Sequence, residues 1–540
     1  MDLPEVFDVL LLGTSLPQAI LAAALSAHGL TVLHVDPSPL YGSYDATVTP
    51  SDLNYLSSHP PPYLHKPALC ILPSAKLELE KRARDYALSL RPGLVRSHSP
   101  LIDVLVGSRL SKQCAFQLVQ GLFLYTPIPS TPASATEGQS TPQSQQPTGK
   151  AVKVPSSKED IFSSPLPLLT KRKLMRFLLW CTGTPSGTPS VPGPEQGHGR
   201  GLISLEELPE LRGKEDMPLV QFLHEVFRLD DEGAKGLTYA VAQRVRATDP
   251  TLPGLRAIRQ HLLGTGRYGA SAYLLGHYGG PGELAQLFCR MAAVRGTPYI
   301  LGHAIEQLKL PTGSKAGEGE GEEAQVKVEG IDEVFRARKV VLEPAFLPRE
   351  LVNNTSLGIA RCIVILEETI VAEEENLDTA LLVFPPGALG ERGLNRAVTC
   401  LWTGEGSKST PYGRYAVYLS VPRNPGEEER TAKDLLEPYL KAFIPLTGRP
   451  EQEPLLTFFY DFVGERSTVG ARTEEGEAMH VLSGIGEGLV DGSDRAAELA
   501  QEMFAKVVGA EAAAEGMWAG LEDAVDENED DAGQDGVEEW

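Results

Sequence analysis

The pattern of apolar and polar positions near the start of the chain predicts a strand, a tight turn, a helix and a second strand. The stretch reads FDVLLLGTSLPQAILAAALSAHGLTVLHVD. Its apolar run 9–12 ends at Gly13, which is typical of a buried parallel strand, and residues 18–28 form an alanine-rich helix that can lie close to a sheet. A second apolar run, 31–35, leads to Asp36, 23 positions after the glycine. This is the layout of a dinucleotide-binding βαβ unit.

The turn of this unit departs from the dinucleotide fingerprint G-x-G-x-x-G. The chain has Gly13, Ser15 and Gln18 where the fingerprint has three glycines. The second glycine lets the backbone approach a pyrophosphate, and the third lets helix and strand pack closely. We therefore predict a βαβ scaffold that binds no flavin or nicotinamide cofactor, with Ser15 as a small turn residue that caps the helix.

The same turn resembles the G-x-S-x-G nucleophile elbow of hydrolases, which gives Ser15 a second, catalytic interpretation. Pro17 replaces the closing glycine, and no HGGG-type oxyanion loop accompanies it. The elbow also belongs deeper in a hydrolase sheet than the first strand, so the turn interpretation is favoured.

Helical spacing dominates from about residue 155 to 268. In TKRKLMRFLLWC an apolar stripe runs beside basic residues, and Thr170 is placed to cap the helix. The helical pattern continues in MPLVQFLHEVFRL, AKGLTYAVAQRV and PGLRAIRQHLLGTG. Strand-like runs then return, among them ARKVVLEP, RCIVILEE, TALLVFPP, YAVYLSV, LLTFFYDF and MHVLSG, before a helix at 493–508. The pattern predicts an all-helical module inserted into a large α/β domain.

Three stretches rich in Pro, Ser, Thr, Gly or Glu interrupt these patterns, at 127–150, 183–201 and 312–325. Such segments bury too little apolar surface to offset the entropy of ordering. Residues 521–540 hold ten acids and no base, which predicts a solvated, disordered tail. The predicted division is domain I, first part, 1–126; low-complexity insert, 127–153; helical domain II, 154–268; domain I, remainder, 269–520; acidic tail, 521–540.

Composition narrows the function classes. The 540 residues are 42% hydrophobic, which is typical of a globular protein, and the net charge of −23 disfavours nucleic acid as a partner. No run of 18 apolar residues occurs, and the N-terminus has no basic region typical of a signal peptide. The six cysteines form no C-x-x-C pair. We expect reduced thiols, no metal site and a cytoplasmic location.

Four stretches resemble the Rab escort proteins, within the superfamily that these share with the Rab GDP-dissociation inhibitors. They are the opening unit with DPSPLYGSYDATVTPSDL, then VPSSKEDIFSSPLPLLTKRKLMRFL, then GRYGASAYLLGHYGGPGELAQLFCRMAAVRGTPYIL, the most specific, and finally MHVLSGIGEGLVDGSDRAAELAQEMF. The resemblance implies an α/β fold, with a large flavoprotein-like (FAD/NAD(P)-binding-like) domain and an inserted small all-helical domain. It also implies that no cofactor is bound, since the family is not known for flavin enzymes.

The resemblance implies a first binding surface, which we call the α/β surface: Tyr41, Glu283 and Arg290. In the family the matching residues grip the switch regions of a GDP-bound Rab GTPase. The seven-residue spacing puts Glu283 and Arg290 on one helix face. The ordinary explanation of these residues is a local ion pair and a surface tyrosine. The chain departs from the family pattern nearby, at Ala285, Pro298 and Ile300.

A second surface, the helical surface, consists of Phe162 and Arg172. The resemblance implies that these residues dock the Rab geranylgeranyltransferase heterodimer, although the spacing between them is one residue shorter than in the family pattern. The ordinary explanation is core packing for Phe162 and a solvated helix face for Arg172. This match, the length of the chain and the inserts favour the escort branch over the inhibitor branch.

The function implied by the resemblance is binding and presentation without catalysis. An escort protein holds the GDP-bound Rab while the transferase adds the geranylgeranyl group, and it then chaperones the product, meeting membranes only transiently. The lipid needs an apolar groove, and the candidate wall residues in the helical module are Leu178, Leu179, Phe222 and Phe227. The alternative is a Rab GDP-dissociation inhibitor that recycles prenylated Rab, and a remote alternative is a flavin-dependent oxidoreductase.

Overall fold

The computed structural model describes residues 4–128, 149–183, 203–311, 323–347, 358–372, 375–462, 478–482 and 488–524. Most of the predicted low-complexity stretches and the acidic tail beyond residue 524 lie outside these ranges. The described helices are α1 (Leu16–Ala27), α2 (Pro50–Ser58), α3 (Lys76–Lys81), α4 (Pro100–Gly107), α5 (Lys158–Ser163), α6 (Leu168–Cys181), α7 (Leu219–Phe227), α8 (Asp231–Lys235), α9 (Thr251–Gly264), α10 (Pro281–Val294), α11 (Ala432–Phe443), α12 (Asp491–Val508) and α13 (Ala510–Glu515).

The first sheet contains the predicted βαβ unit. In spatial order its strands are β11 (Tyr299–Leu301), β2 (Val32–Asp36), β1 (Phe7–Leu12), β14 (Val334–Leu342), β13 (Ala324–Val328) and β12 (Ile305–Lys309), with β22 (Met479–Val481) also paired with β14. β1 runs parallel to both β2 and β14. Because it lies between two strands and is covered on both faces, its apolar run is continuous. The strand, helix and strand predicted at the start of the chain are confirmed.

Helix α1 owes its position to its small side chains. Ala19, Ala22, Ala23 and Ala24 are fully buried, and α1 packs between α10 and α12. Alanine loses no side-chain entropy in a helix and lets neighbouring backbones approach closely. The helix predicted at 493–508 is α12, which begins two residues earlier, at Asp491.

The second sheet provides the other large core. In spatial order its strands are β4 (Leu64–Ile71), β21 (Leu456–Phe462), β15 (Ile359–Leu366), β20 (Tyr415–Pro422), β19 (Val398–Thr403), β18 (Thr379–Phe384), β8 (Gly121–Pro127) and β9 (Gly149–Lys153). β15 and β18 are buried along their whole length, and α11 packs against β15. The strand-like runs predicted in this part of the chain are confirmed.

Strand β9 lies inside the segment 127–153 that the sequence predicts as a low-complexity insert. It pairs antiparallel with β8, with Val152 opposite Leu124. Ala151 and Val152 are the only apolar residues of β9, which is too short a run to signal a strand without knowledge of β8.

Short strands complete the described sheets and ladders. They are β6 (Val95–Arg96), β10 (Tyr273–Gly276) and β7 (Phe116–Leu118) in a three-stranded sheet, β3 (Thr47–Val48) with β5 (Leu88–Ser89), and β16 (Val371–Ala372) with β17 (Glu375–Asn376).

Helices α5 to α9 form the predicted helical module, together with a π-helical turn at Gly236–Val241. The prediction that Thr170 caps a helix is wrong, because α6 begins at Leu168 and its N-cap is Pro167. Leucine is a strong helix former, so Leu168 and Leu169 extend the helix at its N-terminus.

An ion pair at the start of α12 links the helical module to the α/β domain. Arg96 pairs with Asp494 and, at 2.6 Å, with Asp491, both on α12. Arg244 of the helical module lies 3.8 Å from Asp491. The amide of Ala397 also donates to the carbonyl of Val245 at 2.7 Å, which links the module to the second sheet.

The chain returns to α1 after α12. The His28 ring lies 3.1 Å from the Gly516 carbonyl, and Trp518 stacks on Phe288 of α10. Leu521, the first residue of the predicted acidic tail, is buried in the core. Among the described residues, no helix is both long and apolar enough to cross a membrane.

Candidate functional site

The tip of β1 is closed by carboxyl groups of the chain itself. Gly13 adopts φ +99°, and a Cβ at this position would overlap the Glu343 carboxyl group. The Ser15 amide donates to Glu343 Oε1 at 3.3 Å, and the Leu16 amide donates to Asp45 Oδ2 at 2.9 Å. The amides at the N-terminus of a helix are the groups that bind phosphate in dinucleotide-binding proteins. Here these amides already have partners.

Asp36 stands where dinucleotide-binding proteins have the acid that binds the ribose, but here it is buried. It accepts hydrogen bonds from the Thr14 amide (2.9 Å), the Thr14 hydroxyl (2.6 Å), the Ser43 hydroxyl (2.7 Å) and the Ser38 amide (2.8 Å). Burial raises the pKa of Asp36, and these four bonds oppose the shift. All four of these hydrogen bonds come from the chain itself.

The carboxyl groups of Asp36, Asp45 and Glu343 at the tip of β1 differ in the ion pairs and hydrogen bonds that stabilise them. Asp45 pairs with Arg91 at 2.6 Å, and both side chains are buried. Glu343 receives the Ser15 bond but no arginine. Burial, reinforced by the charges of Asp36 and Asp45, raises the pKa of Glu343 well above its ordinary value. Glu343 is therefore the group that most favours its neutral form.

These residues do not fit a flavin or nicotinamide dinucleotide. A pyrophosphate at the helix N-terminus would occupy the space of the Glu343 and Asp45 carboxyl groups, and its negative charge would face them. Gln18, where the fingerprint has its third glycine, donates to the carbonyls of Leu12 and Val341 at 3.1 and 3.2 Å. It joins β1 to β14, which glycine could not do.

Ser15 has neither of the two roles weighed from the sequence. It occupies the N-cap position of α1, but its side chain accepts no capping hydrogen bond, so the prediction of a side-chain cap is wrong. It is fully buried next to Glu343, away from any substrate. The neighbouring His34 lies 2.5 Å from the Gly13 carbonyl, and burial lowers its pKa to about 4. Nothing in this arrangement activates the serine as a nucleophile.

The α/β surface brings its two α10 residues to one outward face. Glu283 is half-buried in the first turn, and Arg290 is exposed two turns later. Seven residues of helix separate their Cα atoms by about 10 Å along the helix axis. Within the described part of the chain, neither side chain forms an ion pair or a hydrogen bond. Burial raises the pKa of Glu283. A half-buried carboxylate without a donor is poised for a cation from a partner.

Tyr41 lies beside the same helix. Its ring is 37% exposed and packs edge-on against Tyr299 of β11, with ring centroids 5.6 Å apart. Burial and the nearby Cys289 thiol raise the pKa of Tyr41. Cys289 directly precedes Arg290, so Tyr41 lies next to the helix that carries the other two predicted residues of this surface.

Three positions near this surface depart from the family pattern. Ala285 is fully buried against the α10 core, so this substitution lies on the inner face of the helix. Pro298 and Ile300 are half-buried at and near the start of β11. They can affect a partner at the rim of the surface.

The helical surface is more apolar than the sequence predicts. Phe162 is 71% exposed at the end of α5, and Leu168 and Leu169 are 67% and 65% exposed at the start of α6. The Lys171 ammonium donates to the Phe162 carbonyl at 2.8 Å, which holds the two helices together at this point. Leu168 and Leu169 precede Arg172 by four and three residues, so all three share one helix face.

Arg172 differs from the other basic residues of α6. Lys171 binds the Phe162 carbonyl, Lys173 donates to the Arg228 carbonyl at 2.7 Å, and the Arg176 guanidinium lies 6.0 Å from the centre of an aromatic ring. Arg172 is exposed, and its guanidinium has no partner among the residues that the structure describes. Its charge is available to another molecule.

The four candidate groove residues do not form one surface. Leu178, Phe222 and Phe227 are buried, and the two phenylalanine rings lie 5.9 Å apart in an aromatic cluster with Trp180. Leu179 is partly exposed on the other side of α6. Phe222 and Phe227 fill the core of the module, as amphipathic helices do by default.

Leu178 also borders a cleft of about 340 Å³ between α5, α6 and the end of α9. Leu262 and Ala270 supply further apolar wall, and Lys158 and Glu159 lie at its edge. The size falls in the range of ligand pockets. Of the four predicted wall residues, Leu178 is the one that reaches this cleft.

Sequence reasoning missed Glu343, Asp45 and the exposed pair Leu168 and Leu169. Asp45 lies in the stretch that carries the family resemblance, but its contact with α1 depends on the fold. The two leucines precede the apolar stripe in the sequence and are exposed because the helix begins earlier than predicted. Among the described residues, no cluster of three or more His, Cys, Asp or Glu side chains is placed to hold a metal ion.

Comparisons with known proteins agree with these features. The family model described as GDP dissociation inhibitor matches residues 1–189 and 219–451. The chain is 26% identical over 430 residues to the Rab proteins geranylgeranyltransferase component A of Saccharomyces cerevisiae, covering 77% of this chain and 62% of that protein. It is 24% identical over 454 residues to the Rab GDP dissociation inhibitor beta of Rattus norvegicus, covering 82% and 86%. The chain thus spans less than two thirds of the yeast relative.

Solved structures show the same fold. The Rab GDI of Plasmodium falciparum matches with a TM-score of 0.61 at 17% identity, covering 95% of this chain and 98% of that one. An oxidoreductase of Methanosarcina mazei matches with a TM-score of 0.50 at 13% identity, covering 92% and 99%. The predicted flavoprotein-like α/β fold is confirmed.

Proposed function

The chain belongs to the GDP dissociation inhibitor family, and from this premise we propose that it is an escort protein for Rab GTPases. It binds a GDP-bound Rab through the α/β surface and presents it to the Rab geranylgeranyltransferase heterodimer through the helical surface. It forms no covalent bond itself. It acts as a chaperone for the prenylated Rab on the way to membranes and contacts a membrane only transiently. The observation that carries the proposal is the exposed set Phe162, Leu168 and Leu169 beside Arg172, whose guanidinium has no partner among the described residues.

The α/β surface supports binding of a polar protein partner. Glu283 has lost part of its hydration, and Arg290 lies two turns away; neither side chain has a partner among the described residues. A partner with a cation facing Glu283 and an acid facing Arg290 would satisfy both, and such complementarity sets orientation and specificity. Tyr41 adds an aromatic ring of the kind enriched at binding hot spots.

The helical surface supports the escort branch over the inhibitor branch. Three large apolar side chains exposed within eight residues are unusual on a helical module that already has a buried core. Such a patch, with an arginine at its side that has no partner in the described part of the chain, is typical of a protein docking site. An inhibitor that only recycles prenylated Rab has no need of a second docking site on this module.

The two surfaces lie on different modules, which suits simultaneous binding of two partners. The Rab is held by its folded GTPase domain, and its flexible C-terminal cysteines can reach the transferase. The product carries a C20 lipid, and each methylene taken out of water contributes roughly 0.8 kcal/mol. The cleft beside Leu178 and Leu262 is our candidate entry for this lipid. A longer groove would require the neighbouring helices to separate.

The carboxyl groups at the tip of β1 disfavour the oxidoreductase alternative. The carboxyl groups of Glu343 and Asp45 take the hydrogen bonds that a cofactor phosphate would need. A chain without a dinucleotide site has no hydride carrier of this kind.

The test is a titration of purified transferase against the purified chain, with and without Rab·GDP. We expect a complex with the transferase that Arg172→Ala weakens. Arg176→Ala, which removes the same charge one helical turn away, serves as the control. A chain that binds Rab·GDP but never the transferase would refute the escort proposal and leave the inhibitor alternative.

A further inference from the structure

Tyr41 lies in a loop whose two ends are both bonded to the N-terminus of α1. At the first end, Asp36 accepts the amide and the hydroxyl of Thr14, at 2.9 and 2.6 Å. At the second end, Asp45 accepts the Leu16 amide at 2.9 Å. The loop is therefore held by the part of the fold that receives a diphosphate in dinucleotide-binding proteins.

The Thr14 hydroxyl is the link nearest to Tyr41. While it donates to Asp36, it accepts the amide of Gly42, the residue after Tyr41, at 2.9 Å. Ser43 supplements this link, since its hydroxyl accepts the Thr14 amide at 3.0 Å. Thr14 and Ser43 are buried, so water does not replace these bonds.

The backbone next to Tyr41 is restricted in two further ways. Gly42 has φ +101°, and a Cβ there would lie 3.0 Å from the Ala46 backbone, so only glycine fits without strain. On the other side, the Gly302 amide donates to the carbonyls of Asp36 and Ser38 at 3.0 and 3.1 Å. The loop is ordered by the fold before any partner arrives.

We propose that Thr14 is a positioning residue for Tyr41, and that the former diphosphate turn now anchors the loop that binds the GTPase. The inference rests on the proposed function, because it takes Tyr41 as a Rab-binding residue. Pre-ordering a binding loop raises affinity, since the entropy of ordering is not lost on binding.

Thr14→Val tests this role with little change in shape. The substitution removes the hydroxyl, which leaves the buried Gly42 amide without its acceptor and Asp36 without one donor. The loop can then relax away from α1, and Tyr41 moves with it. We expect Rab·GDP affinity to fall roughly tenfold. Thr14→Ser, which keeps the hydroxyl, should restore most of the affinity.

The experiment is a double-mutant cycle with the full chain and fluorescent Rab·GDP: wild type, Thr14→Val, Tyr41→Ala and the double variant. If Thr14 acts through Tyr41, the valine substitution costs affinity in the wild type and has no further effect when Tyr41 is alanine. Transferase binding, which uses Phe162 on the other module, reports whether each variant is folded, and it should stay unchanged.

The outcomes separate this inference from the proposed function. Two results would overturn only the positioning role of Thr14. One is a double variant whose loss of Rab·GDP affinity is the full sum of the two single losses. The other is a Thr14→Val variant that keeps wild-type affinity while Tyr41→Ala is weakened. Wild-type affinity of Tyr41→Ala would overturn both the positioning role of Thr14 and the Rab-binding role that the proposed function gives to Tyr41. If Thr14→Val does not fold, Ser43→Ala replaces it in the same cycle, because Ser43 binds both Thr14 and Asp36, and the same outcomes decide.

Discussion

Replacing Phe162 by alanine should weaken transferase binding by about 2 kcal/mol. The side chain is 71% exposed in the free chain. A phenylalanine can bury about 200 Å², so a docked partner could cover about 140 Å² of it, which at about 25 cal/mol per Å² sets a ceiling of about 3.5 kcal/mol. Incomplete burial and the ordering of the ring reduce this value. About 2 kcal/mol corresponds to a roughly 30-fold rise in Kd.

The assay is a titration of purified transferase against each variant, with Rab·GDP affinity measured in parallel. Phe162→Ala should lose transferase affinity and keep Rab affinity, because Phe162 lies on the helical module and makes no part of the α/β surface. Leu77→Ala is the matched control, since Leu77 is an apolar side chain, 60% exposed, on α3 of the other domain. Equal losses for Phe162→Ala and Leu77→Ala, or an unchanged transferase Kd for Phe162→Ala, would refute the reasoning.

Four further predictions address the other sites. Glu283→Ala and Arg290→Ala should each weaken Rab·GDP binding by about 1–4 kcal/mol at unchanged Tm, while Gln286→Ala on the same helix should not; a lowered Tm at unaltered affinity would support a structural role instead. Arg172→Lys should recover only part of the transferase affinity lost in Arg172→Ala, since lysine lacks the fork-shaped donor set; full recovery would show that charge alone matters. Because the pKa of Glu343 is raised in the folded chain, the wild type loses stability as the pH rises above the ordinary pKa of a glutamate. The Tm of Glu343→Gln minus the Tm of the wild type should therefore increase between about pH 5 and pH 8, and a difference that stays constant would contradict this prediction. The purified protein should release no flavin on denaturation, and a stoichiometric yellow chromophore would contradict the closed tip of β1.

Local patterns predicted the elements that depend on local sequence. The apolar run of β1 and the alanines of α1 indicate a buried strand and a closely packed helix wherever the rest of the chain lies. Glu343 could not be predicted in this way. It is 328 positions from Ser15, and no periodicity links an isolated acid to a turn at such a distance. The missing glycines predicted that the turn binds no cofactor, but the residue that fills the space follows from the β1–β14 pairing.

The candidate binding residues show a second limit of sequence patterns. Phe162 and Phe222 both belong to apolar stretches of the helical module, yet one is exposed and the other is fully buried. An amphipathic pattern identifies an apolar face, but it does not tell whether that face meets the core, a lipid or another protein. Phe162 lies at the end of α5 and Phe222 lies within α7, and helix ends are the least predictable part of a helix.

The position of β1 between β2 and β14 has a consequence for synthesis of the protein. The ribosome makes β1 and β2 together, but β14 begins at Val334, more than 300 residues after β1. At about 5–20 residues per second, the β14-facing edge of β1 remains unpaired for roughly 15–60 s. β22 and α12, which complete the same sheet and its cover, come later still. The nascent chain therefore presents an open, apolar strand edge for most of its translation, a template for wrong pairing that a chaperone would have to shield.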